Sequence, residues 1–334
     1  MNKIKIVICF VVLIYMSICL VPYANFVIRK NQAGQSAETF VPELFENTEI
    51  STDLDMQEFV LYDLGTDTII TLSEKEFLIG SLASEMTATV KEEALKAQCV
   101  ASYSYYSYLR EQNKSQEYHI EFNSLSNQVY TNSENLKTLW AEDYDKNYEY
   151  FSQIIDSVYG ETLVYNGEIA CSSFFTVSNG NTESALDMWG EDIPYLVAVA
   201  SPYDAYANGI ESTIDYTPVN VKEILADNWE YADFDYTMPY SDWFSEIEYT
   251  TGASVVSLNI CGFSVTGDEL RKAFSLSSPC FEISYDGEKF VFTSKGQGGF
   301  VGMSKTGASY MAAEGASYKE ILAWYFSGTT IAKE

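Results

Sequence analysis

The sequence predicts an α+β fold of short antiparallel sheets and helices, preceded by one membrane-crossing helix. Three observations carry this. Hairpin signals recur far apart in the chain, at Leu64-Gly-Thr-Asp, Asn166-Gly167 and Asp286-Gly287. Stretches with helical spacing and start signals lie between them. Ahead of both, Ile4 to Ile28 is almost wholly apolar, long enough for a helix of about 20 residues or more across a bilayer.

A chain of 334 residues can hold one large or two medium domains, and 47% hydrophobic with 15% aromatic content marks it as folded. The net charge of −29 excludes nucleic acid as a partner, because phosphate binding needs a basic surface. A cleaved signal peptide would have a shorter apolar core, about 7–15 residues, and an A-x-A-like site. Neither is present, so residues 1–30 read as an uncleaved anchor. Lys3 and Lys5 balance Arg29 and Lys30, so flanking charge does not set the orientation. Residues 31–57 are polar and acidic without periodicity, a tether. The folded domain is expected over residues 58–334.

The hairpin around Leu64 joins runs containing Phe59, Leu61 and Ile69, Ile70, Leu72. An apolar segment follows (Phe77, Leu78, Ile79, Leu82) and ends in a lone acid, Glu85. Thr89 and Glu92 are spaced as a capping box. Leu95, Cys99, Ser102, Tyr106 and Leu109 then recur on one side of a helix. Asn135 to Val158 reads as a further helix. Gly160 to Glu168 gives strand, turn and return strand. Residues 205–249 are acidic and aromatic. Val255 to Ile260 is a strand, Thr266 to Lys272 a helix, and Tyr318 opens a last amphipathic helix.

Cys9 and Cys19 belong to the anchor; Cys99, Cys171, Cys261 and Cys280 fit no zinc spacing and are either buried thiols or one of three pairings. His119, the only histidine, lies where no second soft ligand is near, so no metal and no cofactor are expected. A thiol hydrolase using Cys99 or Cys171 with His119 has no surrounding signature. No G-x-S-x-G elbow occurs, and Gly296-Gln-Gly-Gly lacks the strand–helix setting of a phosphate loop.

Several motifs recur in a fixed order. Leu82-Ala-Ser-Glu-Met and Glu93-Ala-Leu-Lys-Ala-Gln are similar to A-A-E-M-P and E-A-L-K-A-Q-A-V-A-A-R-T-Y. Asn127-Gln-Val-Tyr is similar to C-Q-V-Y, and Phe174 to Glu183 to F-x-S-x-S-G-G-x-T-E. Trp189-Gly, Pro194-Tyr-Leu and Ser201-Pro-Tyr-Asp follow. Val301-Gly-Met-Ser-Lys-Thr-Gly-Ala is similar to V-G-M-S-Q-Y-G-A. Together these resemble the stage II sporulation protein D family of peptidoglycan lytic transglycosylases and amidase enhancers, over residues 58 to about 330. Departures are Thr87 for proline, Tyr103 for arginine, Asn127 for cysteine, and Gly298-Gly299-Phe300 for the family's G-H-G.

The resemblance implies a two-lobed extracytoplasmic domain around a glycan-binding groove, with Glu85 as the acid. Some relatives hold zinc near the position of His119 through a histidine and two cysteines, which are lacking here. A lytic transglycosylase can work with a single carboxylate, and partial burial among apolar neighbours would keep Glu85 protonated. Candidate sugar-binding residues are Gln128, Tyr130, Ser178, Gly180, Thr182, Trp189, Tyr195 and Ser304; Trp189 and Tyr195 would stack on pyranose faces. Phe300 would block a subsite or offer another stacking face. Expected partners are glycan strands, an amidase/endopeptidase of the engulfment machinery, and the membrane through the anchor. The alternative is a non-catalytic, peptidoglycan-binding amidase enhancer: retained Glu85 favours the enzyme, and the missing histidine favours the alternative.

Overall fold

The computed structural model describes residues 58–126 and 129–333. The apolar N-terminal segment, the tether, Asn127 and Gln128 lie outside the described residues, among which no helix is long and apolar enough to cross a membrane. Glu58–Asp63 (β1) and Thr68–Ser73 (β2) form the first predicted hairpin, with Asp63 opposite Thr68. Asp63 ties its turn together, accepting hydrogen bonds from Gly65 N, Thr66 Oγ1 and Ser124 N. Burial alone would push this carboxyl up; those bonds prevail and bring it down to about 2.

The apolar segment before Glu85 is helical. Glu74–Glu85 (α1) starts on Ser73, whose side chain accepts from Glu76 N, and it buries Phe77, Leu78, Ile79 and Leu82. Glu92–Gln112 (α2) follows, but the capping box does not form. Glu92 is the first helical residue, so it cannot reach back as a third-position residue would. It pairs with Lys96 at 2.6 Å instead, while the Thr89 and Thr87 hydroxyls bond to each other. The predicted face of α2 is buried from Leu95 to Tyr106, with Leu109 half-buried. Ala94, Ala97, Val100 and Ala101 are buried too, so this helix is enclosed on nearly every side.

Ile120–Phe122 (β3) joins the free edge of β1 in parallel, contrary to the all-antiparallel expectation. The long helix predicted after Asn135 is two, Ser133–Trp140 (α3) and Tyr144–Val158 (α4), broken at Ala141 with φ +46°. Glu161–Tyr165 (β4) turns through Asn166 and Gly167, both left-handed, into Glu168–Ile169 (β5), as a two-residue hairpin requires. Phe174–Phe175 (β6) and Ala185–Trp189 (α5) come next.

A second core is built from residues beyond 211. Glu211–Tyr216 (β7), Pro218–Asn228 (α6), Phe244–Tyr249 (β8), Val255–Ile260 (β9), Phe263–Thr266 (β10), Gly267–Ala273 (α7), Phe281–Tyr285 (β11) and Phe290–Lys295 (β12) make two antiparallel sheets and two helices. Trp243, Leu258, Phe274 and Phe292 are buried among them, so the acidic, aromatic stretch is packed and not a loop. The chain then returns. Met303–Ser304 (β13) runs parallel to β6, Lys305–Ala313 (α8) and Tyr318–Tyr325 (α9) pack on α2, and Thr330–Lys333 (β14) pairs antiparallel with β4.

One buried charge cluster fixes α1 against α2. Glu74 is nearly inaccessible; its carboxylate pairs with Arg110 at 2.8 Å and accepts from the Tyr103 and Tyr159 hydroxyls at 3.0 and 2.8 Å. Burial, then Glu74, pushes the Tyr159 hydroxyl up to about 12, so it stays a donor. Tyr103 stands where the resembling motif has arginine, and Arg110, two turns along the same helix, supplies the positive charge. Arg110→Met should cost about 3–5 kcal/mol in urea unfolding, because Glu74 is left buried and unpaired. Adding Glu74→Gln to that variant should recover part of the loss; an unchanged midpoint in the single variant would contradict this account.

Candidate functional site

Glu85 ends α1, and its carboxylate Oε2 is held by the Lys305 ammonium at the first position of α8. Both side chains are largely enclosed, 15% and 13% exposed. The expectation of a carboxyl among apolar neighbours is therefore corrected: its neighbour is a cation. Tyr106 of α2 is buried nearby; burial, then the Glu85 charge, pushes its hydroxyl far up. Tyr106 also lines a pocket of about 590 Å³ with Tyr105, Leu109, Tyr118 and His119. Lys305 was missed from sequence. The available signal was the motif itself, which has glutamine at that position.

The turn carrying Lys305 explains its motif residue by residue. Gly302 has φ +91°, and a Cβ there would lie 2.0 Å from the Ser173 carbonyl, so only glycine fits. Met303 and Ser304 pair with β6. Ser304 caps α8, accepting from Gly307 N at 3.0 Å. Thr306 N donates to the Thr176 carbonyl at 3.0 Å. A Cβ on Gly307 would meet the Tyr325 hydroxyl at 2.0 Å, so α9 and α8 touch there without a side chain between them.

Beneath the turn lies Asp204, fully buried. It accepts from Ser178 N at 2.9 Å and Oγ at 2.6 Å, and from Ser304 Oγ at 2.9 Å. Burial pushes its carboxyl up, and these serines pull it part of the way back. Ser178 and Ser304 are thus corrected from sugar ligands to internal donors. Thr182 is also buried, and its hydroxyl accepts from Val199 N at 2.8 Å. Tyr195 is buried with its hydroxyl accepting from Cys171 N, and Tyr130 stacks on Phe77 and meets Phe122 edge-on. Gly180 serves its backbone, at φ +121°. Trp189, 43% exposed, keeps a ring face toward solvent. Gln128 lies outside the described residues.

Phe300 neither blocks a groove nor offers a face. It is fully buried, its ring tilted against that of Phe175 with centroids 5.4 Å apart, at φ +65°. Glycine at that position relieves a left-handed backbone; here the ring's burial offsets the strain, and removing it would cost about 3–5 kcal/mol. Gly299 faces open space. The four described cysteines are buried free thiols, and burial first of all pushes Cys99 up to about 12 and Cys171 to about 11. His119 Nδ1 accepts from Val60 N at 3.1 Å, which sets its tautomer; burial and then Arg110 hold it below its usual range.

The motifs thus meet in one α+β domain, at its enclosed central helix and at the turn into α8, with an acidic side chain between them. A family model described as Stage II sporulation protein matches residues 62–165. Stage II sporulation protein D of Bacillus subtilis (strain 168) is 29% identical over 340 residues, 98% of this chain and 94% of the relative. That of Bacillus amyloliquefaciens is 30% identical over 277 residues, 82% of this chain and 78% of the relative. A protein named Amidase enhancer, from Bacillus subtilis (strain 168), is 25% identical over 301 residues, 76% of this chain and 40% of that protein. This chain belongs to the stage II sporulation protein D family.

Asp204→Asn puts an amide where a carboxylate takes three donors, and should cost about 1–3 kcal/mol at neutral pH. The pH dependence carries the sign. A carboxyl raised in the fold adds stability as pH falls from its folded value toward the ordinary 3.8, and that increment is lost as pH rises again. Thermal melts of the two proteins across acidic pH should therefore converge upward through neutral pH only in part, with the acid-side gain present in the natural protein and missing from the asparagine variant. Parallel curves at every pH would remove Asp204 as the titrating group.

Proposed function

We propose that this protein is a membrane-anchored peptidoglycan lytic transglycosylase that cuts glycan strands already stripped of stem peptides, during engulfment in sporulation. The observation that carries the reading is Glu85: a part-exposed carboxylate at a helix end, held through Oε2, with Oε1 carrying no hydrogen bond among the described residues. Its position matches the acid of the family motif, and its relatives are named for sporulation.

The chemistry asks for a single carboxyl that gives a proton and later takes one. Protonated Glu85 donates to the glycosidic oxygen as the bond from C1 breaks, and the sugar's own N-acetyl oxygen stabilises C1. The carboxylate left behind then accepts the proton of the C6 hydroxyl, whose oxygen closes on C1. The product carries a 1,6-anhydro ring, the N-acetyl group is restored, and no water is consumed. Of the candidate sugar-binding residues described, Trp189 is the exposed aromatic one, a stacking surface for a sugar. The anchor at residues 1–30 would hold the domain on the wall side, near an amidase/endopeptidase that supplies stripped strands.

A second reading, a non-catalytic amidase enhancer that binds peptidoglycan, is favoured by the missing G-H-G histidine and by the similarity to the protein of that name. One digestion separates the two. Purified glycan incubated with the natural protein should yield anhydro-muramyl ends, visible by mass as products lighter by one water than hydrolytic ones. Glu85→Gln should abolish them while the protein still unfolds cooperatively, at a lower midpoint because Lys305 loses its charged partner, and Glu85→Asp should lose on the order of 10²-fold through misplacement of the proton. Binding without any cleavage would leave the enhancer reading standing alone. For topology, protease added to intact protoplasts should remove the domain; full protection would place it inside.

A further inference from the structure

We propose that Lys305 is a positioning residue for Glu85: it holds Oε2 so that Oε1 is the oxygen offered to substrate. This rests on the acid role proposed for Glu85.

The lysine's location is physically unfavourable without that partner. A cation at the first position of a helix opposes the helix dipole. Lys305 sits at that position in α8 and is only 13% exposed, so neither solvent nor the helix favours it there. Glu85 compensates both. The backbone carrying it is also fixed on either side, by Ser304 on Asp204 and by Thr306 N on the Thr176 carbonyl. The ammonium is therefore delivered to one place, and the carboxylate is oriented by it.

Among the described residues, Lys305 of α8 ion-pairs with Glu85, and Tyr106 of α2 is near enough to feel its charge. Other charges on α1 lie at its opposite end, where Glu74 meets Arg110, Tyr103 and Tyr159, and Lys75 meets Asp156 of α4. At about 1.5 Å per residue that end is roughly 16 Å away along the axis. Lys305 is thus the cation that acts on the reacting carboxyl. As the proton leaves Glu85 for the glycosidic oxygen, the nearby ammonium stabilises the carboxylate that forms.

Lys305→Gln keeps a donor and removes the charge; Lys305→Met removes both. With the full-length protein on purified glycan, kcat should fall on the order of 10²-fold in the methionine variant through misplacement of the carboxyl, and less in the glutamine variant, which still orients it, while KM changes little. Cleavage by both variants at the natural kcat overturns the role of Lys305 and leaves the transglycosylase reading in place. Cleavage by none of the proteins, natural one included, overturns the acid role of Glu85 and the positioning role with it.

Discussion

A carboxylate sealed from water is tolerated only when its lone pairs are filled, and Asp204 is such a group. Its donors come from Ser178 and Ser304, so three segments distant in the chain converge on one side chain. Ser304 is at once a donor to Asp204 and the cap of α8, which makes the start of that helix part of the buried network. Lys305 is the next residue. The place where an ammonium meets Glu85 is therefore set by a hydrogen-bonded carboxylate that touches neither of them.

The helix α1 carries a glutamate at each end, and their surroundings assign them different work. Glu74 is nearly inaccessible and has a guanidinium and two phenol hydroxyls, enough donors for both oxygens. Such a group is locked, and its contribution is the fixed angle between α1 and α2. Glu85 has one ammonium on one oxygen and remains partly open to solvent. A carboxyl with an oxygen to offer can exchange a proton; a fully satisfied one cannot do so without breaking the structure around it.

Small residues matter here because backbone must approach backbone. At Gly302 the Ser173 carbonyl fills the space of a side chain, and at Gly307 the Tyr325 hydroxyl does. Phe300 is the opposite solution at a neighbouring position. It accepts a left-handed backbone and gains a fully buried ring against Phe175. Its ring partner lies in β6, beside the strand pair that leads into α8.

The sequence by itself determined the α+β class, the hairpins at Asn166-Gly167 and Asp286-Gly287, the buried face of α2 and the family, because these depend on local periodicity, turn chemistry and motif order. Glu85 was legible as a lone acid ending an apolar run. Its partner was not, since Lys305 is 220 residues away and pairing at that separation leaves no local pattern. Hydroxyl-rich motifs carry the same ambiguity: Ser178, Thr182 and Ser304 look the same in sequence whether they face a sugar or a buried Asp204. The failed capping box at Thr89 is a third case, where the observed start of α2 placed Glu92 at the first helical position, two short of the one that reaches back. Direction and distance between remote side chains are properties of the packed chain, and only the tertiary structure decided them.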